Sequence, residues 1–181
     1  MFKEKIFTIR FIATTGIGIA LYVALSLCLQ VPVFQNYYLC LGYVVMAVYL
    51  YSFGIISGTI IGVSGCILHC LLISGLRGMP GWSLGNLFIG ITLGITFKLV
   101  KALKNKPLQY IINIVATVLY TAVGMLLIKS YTEVLLYAQP FILRITNNSY
   151  AFFANSFVLV LSLPLCINLD RILQKKLNAQ Q

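Results

Sequence analysis

Only three of the 181 residues are acidic: Glu4, Glu133 and Asp170. Thirteen are Lys or Arg, so charged residues make up 9% of the chain. A soluble domain is typically about a quarter charged. A water-compatible surface cannot be built from so few charges, and a soluble globular fold is excluded. Disorder is excluded too, because it needs low hydrophobicity, and here 60% of residues are hydrophobic and the mean hydropathy is +0.97. Catalysis that needs a rich set of carboxylates is excluded with them. The chain has one histidine, His69, and one tryptophan, Trp82. It carries no P-loop motif, so it does not drive itself with a nucleotide.

The spaces between charges count membrane crossings. Residues 11–76 contain no Asp, Glu, Lys or Arg. Those 66 residues would run roughly 100 Å as helix, enough for about three crossings of a ~30 Å hydrocarbon core. Three further charge-free runs, 78–97, 107–128 and 145–169, supply one crossing each. The expectation is an all-α integral membrane protein, a six-transmembrane-helix bundle forming a single domain over residues 1–181. Breakers place the helices near residues 7–29, 38–51, 55–73, 82–101, 108–128 and 149–173, the last bent at Pro164. Strands are not expected, since a membrane barrel alternates polar and apolar residues. Residues 129–148 read as the one long connection, apolar enough to pack on the bundle.

The charges also orient the chain. With both termini cytoplasmic, the inner segments hold ten Lys or Arg: Lys3, Lys5, Arg10, Lys98, Lys101, Lys104, Lys106, Arg171, Lys175 and Lys176. The outer segments hold three, Arg77, Lys129 and Arg144. That bias follows the positive-inside rule. It also explains the net charge of +10 without nucleic acid, which is not expected as a partner. The first helix lacks a small-residue cleavage site and reads as retained. Five cysteines with no CxxC pattern do not suggest a disulfide framework.

Several patterns could carry chemistry. Gly81-Trp82-Ser83-Leu84-Gly85 matches the GxSxG hydrolase motif, which needs a later acid and histidine. His69 comes earlier, so an intramembrane hydrolase using Ser83 and His69 stands only as an alternative. Cys66, His69 and Cys70 lie on about one helical turn, but a structural zinc site wants four ligands; no metal is expected. His69 reads instead as a buried polar group, and polar groups at membrane depth often mark a substrate path. The outer half holds the main set: Asn36, Arg77, Trp82, Asn86, Tyr150 and Asn155. Aromatic residues there can be an ordinary interfacial belt. Asn86 and Asn155 lie inside apolar runs, where an amide needs a partner. Together with His69 these residues suit a pocket for a small polar heterocycle. Ala20 and Ala24 share one face of the first helix, and glycines recur through the third and fourth as packing signals.

These residues resemble a family. Ala20-xxx-Ala24, the stretch from Phe53 to Gly65 with glycines at 54, 58, 62 and 65, and Met79-Pro80-Gly81-Trp82-Ser83-Leu84-Gly85-Asn86 are similar to those of the substrate-binding S component of an energy-coupling factor (ECF) transporter. The riboflavin-type set is nearest. The resemblance implies a subunit of a bacterial plasma membrane that binds a vitamin from outside with high affinity. It implies partners: a transmembrane coupling subunit met by Ala20 and Ala24, and two cytoplasmic ATPases that use the ATP. The chain itself would need no cofactor and would not be an enzyme. Riboflavin, a pyridoxine-like compound, a pyrimidine precursor, a cobalamin-type ligand and a queuosine precursor all remain open as ligands. A stand-alone small-molecule carrier is a second alternative.

Overall fold

The computed structural model describes residues 8–28, 31–34, 37–74 and 78–178. Five helical bodies are long and apolar enough to cross a membrane: Ile9–Cys28, Ile55–Ile73, Met79–Val100, Lys106–Tyr137 and Phe141–Leu173. A shorter apolar helix, Gly42–Ser52, brings the total among the described residues to six.

Helix α1 (Ile9–Cys28) starts at Thr8, whose hydroxyl accepts the Phe11 N–H at 3.2 Å. It leads to a small antiparallel hairpin, β1 (Val31–Phe34) and β2 (Tyr37–Leu39), pairing Val31 with Leu39. This corrects the expectation that strands are absent. The polar turn expected at Gln35 and Asn36 falls between the strands, outside the described residues. The hairpin also shortens the second helix, α2 (Gly42–Ser52), from its expected start at 38. Eleven residues rise about 16 Å, half a hydrocarbon core. Eight of them, Tyr43, Met46 and Leu50 included, are buried, so α2 is a central post walled in by its neighbours. The tight turn expected after it is present. Gly54 has φ +113°, a conformation that glycine alone adopts without strain.

Helix α3 (Ile55–His69) ends in a π turn, Cys70–Ser74. Helix α4 (Met79–Val100) opens with Pro80 in its first turn. Helix α5 (Lys106–Ala122) is capped by the Asn105 side chain, which accepts the Leu108 N–H. It runs on through a π segment, Val123–Lys129, into α6 (Ser130–Tyr137). Helix α7 (Phe141–Asn178) contains Pro164 within its length.

The long connection expected at 129–148 is therefore overturned. Only residues 138–140 separate α6 from α7. The difference has a physical source. Charges normally mark exit from the membrane, but Lys129, Glu133 and Arg144 partly neutralise one another and turn inward. Lys129 and Glu133 are 7% and 4% exposed. Glu133 is thus a carboxylate buried within the fifth membrane-spanning body.

The core lies around α2. Tyr22, Tyr43, Met46, Ile61, Ile89, Leu93, Phe97, Met125, Leu159 and Leu163 are fully buried within it. Large apolar residues such as Ile12, Leu72, Leu99, Leu119 and Leu161 point outward, as they must where the solvent is lipid. Helix α1 fits this pattern, with Tyr22 and Ser26 buried and Ala20 and Ala24 exposed.

Candidate functional site

One end of the bundle gathers polar groups from α2, α3, α4, the π segment Val123–Lys129, α6 and α7. Trp82 and Asn86 lie one turn apart on α4. Trp82 Nε1 donates to Tyr43 Oη at 2.8 Å. Tyr43 Oη donates to Asn86 Oδ1 at 2.5 Å, and Asn86 Nδ2 donates to the Gly62 carbonyl at 2.9 Å. The chain of bonds satisfies a fully buried amide and ties α2, α3 and α4 together. His69 stands edge-on to Trp82, ring centres 5.7 Å apart. It is buried, and its Nδ1 has no hydrogen-bond partner.

An ion cluster adjoins these rings. Lys129 Nζ lies 5.9 Å from the centre of the Trp82 ring. Glu133 is 4.0 Å from Lys129 and 3.6 Å from Arg144. Asn148 Nδ2 donates to Glu133 Oε2 at 3.1 Å and to Ser130 Oγ at 3.0 Å. Its own Oδ1, and Arg144 Nε, are buried without a hydrogen-bond partner. Two cations face one carboxylate, so the cluster carries one net positive charge. Lys129 is 23 residues along the helix from Lys106, roughly 35 Å. The cluster therefore sits near the far edge of the hydrocarbon if Lys106 marks the near one.

Two local devices put the site together. The first is the π segment at Val123–Lys129. An extra residue in a turn rotates the rest of the helix by about 100°, so the stripe Asn113, Thr117 and Thr121 gives way to an inward Lys129 and Glu133. A second π turn comes directly after His69; such turns often lie at functional sites. The second device is close helix approach. A Cβ on Gly85 would lie 2.8 Å from the Gly124 carbonyl, and one on Gly81 would lie 2.9 Å from the Lys129 carbonyl. Only glycine lets the start of α4 seat against the π segment that continues α5, which sets Trp82 beside Lys129.

The profile of the ECF-type riboflavin transporter S component family matches residues 6–171. The chain belongs to that family. This S component is thereby a membrane-embedded, multi-pass substrate-binding subunit of an ECF transporter, a class of binding subunit and not of enzyme. It is 29% identical over 146 residues to a UPF0397 protein of Lactococcus lactis subsp. cremoris (strain NZ9000), covering 74% of each chain. A UPF0397 protein of Streptococcus thermophilus (strain CNRZ 1066) is 26% identical over 151 residues, covering 77% of the S component and 82% of that relative. A third, from Exiguobacterium sp. (strain ATCC BAA-1283 / AT1b), is 29% identical over 141 residues, covering 74% of both. No solved structure matches.

Of the residues singled out from the sequence, His69, Trp82 and Asn86 come together. Asn155 is buried on α7, two turns beyond Asn148. Tyr150 is half-buried on the same helix. Asn36 and Arg77 lie outside the described residues. Sequence reasoning missed Tyr43, Ser130 and the roles of Lys129, Glu133 and Arg144. The i,i+4 spacing of Lys129 and Glu133 was the available signal, since it puts opposite charges on one helix face. Ser83 is in a helix, not at a strand-to-helix elbow, and its hydroxyl donates to the Met79 carbonyl at 2.6 Å. Among the described residues, no three metal-ligating side chains converge.

Proposed function

We propose that this S component is the high-affinity receptor through which an ATP-driven ECF transporter takes up a vitamin or related heterocyclic micronutrient. The observation that carries the reading is the buried run from Trp82 through Tyr43 to Asn86, set against the Lys129–Glu133–Arg144 cluster. Polar side chains are costly at membrane depth and mark substrate paths. The Trp82 indole offers a flat face. His69 Nδ1 and Asn148 Oδ1 offer polar atoms that nothing else satisfies. A small, flat, polar ligand suits such a site. Asn36 and Arg77, which follow α1 and α3 in the sequence, and Tyr150 and Asn155 on α7 complete it in this proposal.

The opposite end of the bundle carries Lys101, Lys106, Arg171 and Lys175. By the positive-inside rule that end is cytoplasmic, both termini are inside, and the site opens outside a bacterial plasma membrane. The sequence carries no P-loop motif. Two cytoplasmic ATPases use the ATP, and a transmembrane coupling subunit meets the exposed Ala20 and Ala24 face of α1.

Reconstitution into vesicles tests this. The purified chain should carry a small heterocycle identifiable by mass spectrometry. Vesicles should accumulate it only with the coupling subunit, both ATPases and ATP. Accumulation by the chain alone would make it a stand-alone carrier. Covalent labelling of Ser83 by a fluorophosphonate would favour the hydrolase.

A further inference from the structure

The basic end of the bundle holds more than scattered lysines. Lys101 at the end of α4, Lys106 at the start of α5, and Asp170, Arg171 and Lys175 on α7 line one cavity of about 380 Å³. Asp170 pairs with Lys101 at 3.1 Å. Lys101 also donates to the Tyr51 carbonyl and lies 3.9 Å above the Tyr51 ring. One carboxylate thus faces four cations, and the cavity carries three net positive charges. Lys106, Arg171 and Lys175 are exposed at its rim. The insertion rule needs basic residues at this end. It does not need cations from three helices to converge on one cavity.

A second feature lies along the same α5–α7 seam. Ile114 and Val118 from α5 and Phe153, Phe157 and Val160 from α7 line an apolar groove of about 620 Å³. Ser156 is the only lining residue with a polar side chain. Ile114 is eight residues from Lys106, roughly 12 Å along the axis, and Val160 is eleven from Arg171, roughly 16 Å. That is about the depth of one leaflet. A cationic cavity at the membrane surface and an apolar groove whose near edge, at Ile114, Val118 and Val160, lies one leaflet deeper match the two parts of a phospholipid; Leu39 and Phe153 line the far side of the groove.

We propose that the α5–α7 seam binds an anionic phospholipid, its phosphate group held by Lys106, Arg171 and Lys175 and an acyl chain reaching the groove at Val118 and Val160. Lys101, tied to Asp170 and Tyr51, fixes the cavity wall. Free phosphate shares the headgroup chemistry but does not use the groove. An acidic protein segment would use neither the groove nor the leaflet depth.

The test is native mass spectrometry of the full chain released from nanodiscs of phosphatidylcholine and phosphatidylglycerol. Phosphatidylglycerol should be retained in preference to phosphatidylcholine. Basic residues near a membrane contribute ~1 kcal/mol each, about fivefold in affinity. Lys106→Gln/Arg171→Gln should therefore lower the enrichment about 25-fold, whereas Lys98→Gln/Lys104→Gln, with the same loss of charge at the same end, should leave it unchanged. Val118→Trp/Val160→Trp, filling the groove from two of its lining positions, should also lower it. Equal losses in the two glutamine doubles would mean general charge attraction and overturn the site. Retention unchanged in the Trp double, with displacement by millimolar inorganic phosphate, would assign the cavity to free phosphate. Displacement by a polyglutamate peptide but not by excess phosphatidylglycerol would assign it to a protein partner.

Discussion

The indole N–H of Trp82 ends on the hydroxyl of Tyr43, 2.8 Å away, and that hydroxyl passes its own proton toward Asn86. An α4 ring and an α2 ring are thus joined by one oxygen that both accepts and donates. Tyr43→Phe removes that oxygen and leaves the Trp82 N–H and Asn86 Oδ1 without it. A stranded buried polar group costs roughly 1–3 kcal/mol. The expected result is a lower melting temperature in detergent and a shifted emission maximum. Because Trp82 is the only tryptophan, that emission reports this site alone. Unchanged emission would show that the indole does not depend on Tyr43.

Glu133 is the only described carboxylate at this end, between Lys129 and Arg144. Removing one partner of a buried ion pair typically costs ~3–5 kcal/mol, because the other is left uncompensated. Glu133→Leu should therefore be severely destabilising. Adding Lys129→Met should recover part of the loss. Thermal melts of the two singles and the double give the coupling, and additive losses would mean that Lys129 and Glu133 do not act as a pair.

How the site came to be half legible depends on which residues stand out in an apolar chain. Trp82 and Asn86 are visible because an indole and an amide interrupt runs of Leu, Ile and Gly. His69 is visible as the only histidine. Tyr43 is not, because a tyrosine among Leu41, Val44 and Val45 reads as filler; its meaning lies wholly in the groups that face it. The ion cluster is hidden by the rule that makes the rest readable. Counting spans treats each charge as a membrane exit, and that holds at Lys98 and Lys106. It fails at Lys129, where the helix continues and Glu133, one turn on, answers the charge. The hairpin at Val31–Leu39 is hidden because strands of four and three residues are too short to show the alternation by which a membrane barrel is recognised.

Gly85 tests the close approach of α4 to α5. A side chain there meets the Gly124 carbonyl, which is backbone and cannot rotate away. Gly85→Val should push the helices apart, lower the melting temperature by several degrees and disturb the Trp82 emission. Gly16 is the matched control, since a Cβ on it would meet nothing within 4 Å. Gly16→Ala should be neutral or slightly stabilising, because alanine favours helix by up to ~1 kcal/mol over glycine. If Gly85→Val melts like the parent, the seating of α4 does not depend on that contact.

Ala20 and Ala24 separate binding from transport. Both are exposed on α1, while Tyr22 and Ser26, on the opposite face, are buried in the bundle. Large side chains at 20 and 24 therefore cost the fold little and leave the Trp82 site untouched. They do prevent another helix from approaching as closely as small residues allow. Ala20→Trp/Ala24→Trp should keep its melting temperature and its copurified small molecule. In vesicles carrying the coupling subunit, both ATPases and ATP, the same variant should lose uptake by tenfold or more. Pull-down of the coupling subunit should fall in parallel. Full uptake by this variant would move the docking face away from α1, and loss of the bound molecule would mean that the α1 surface supports the site itself.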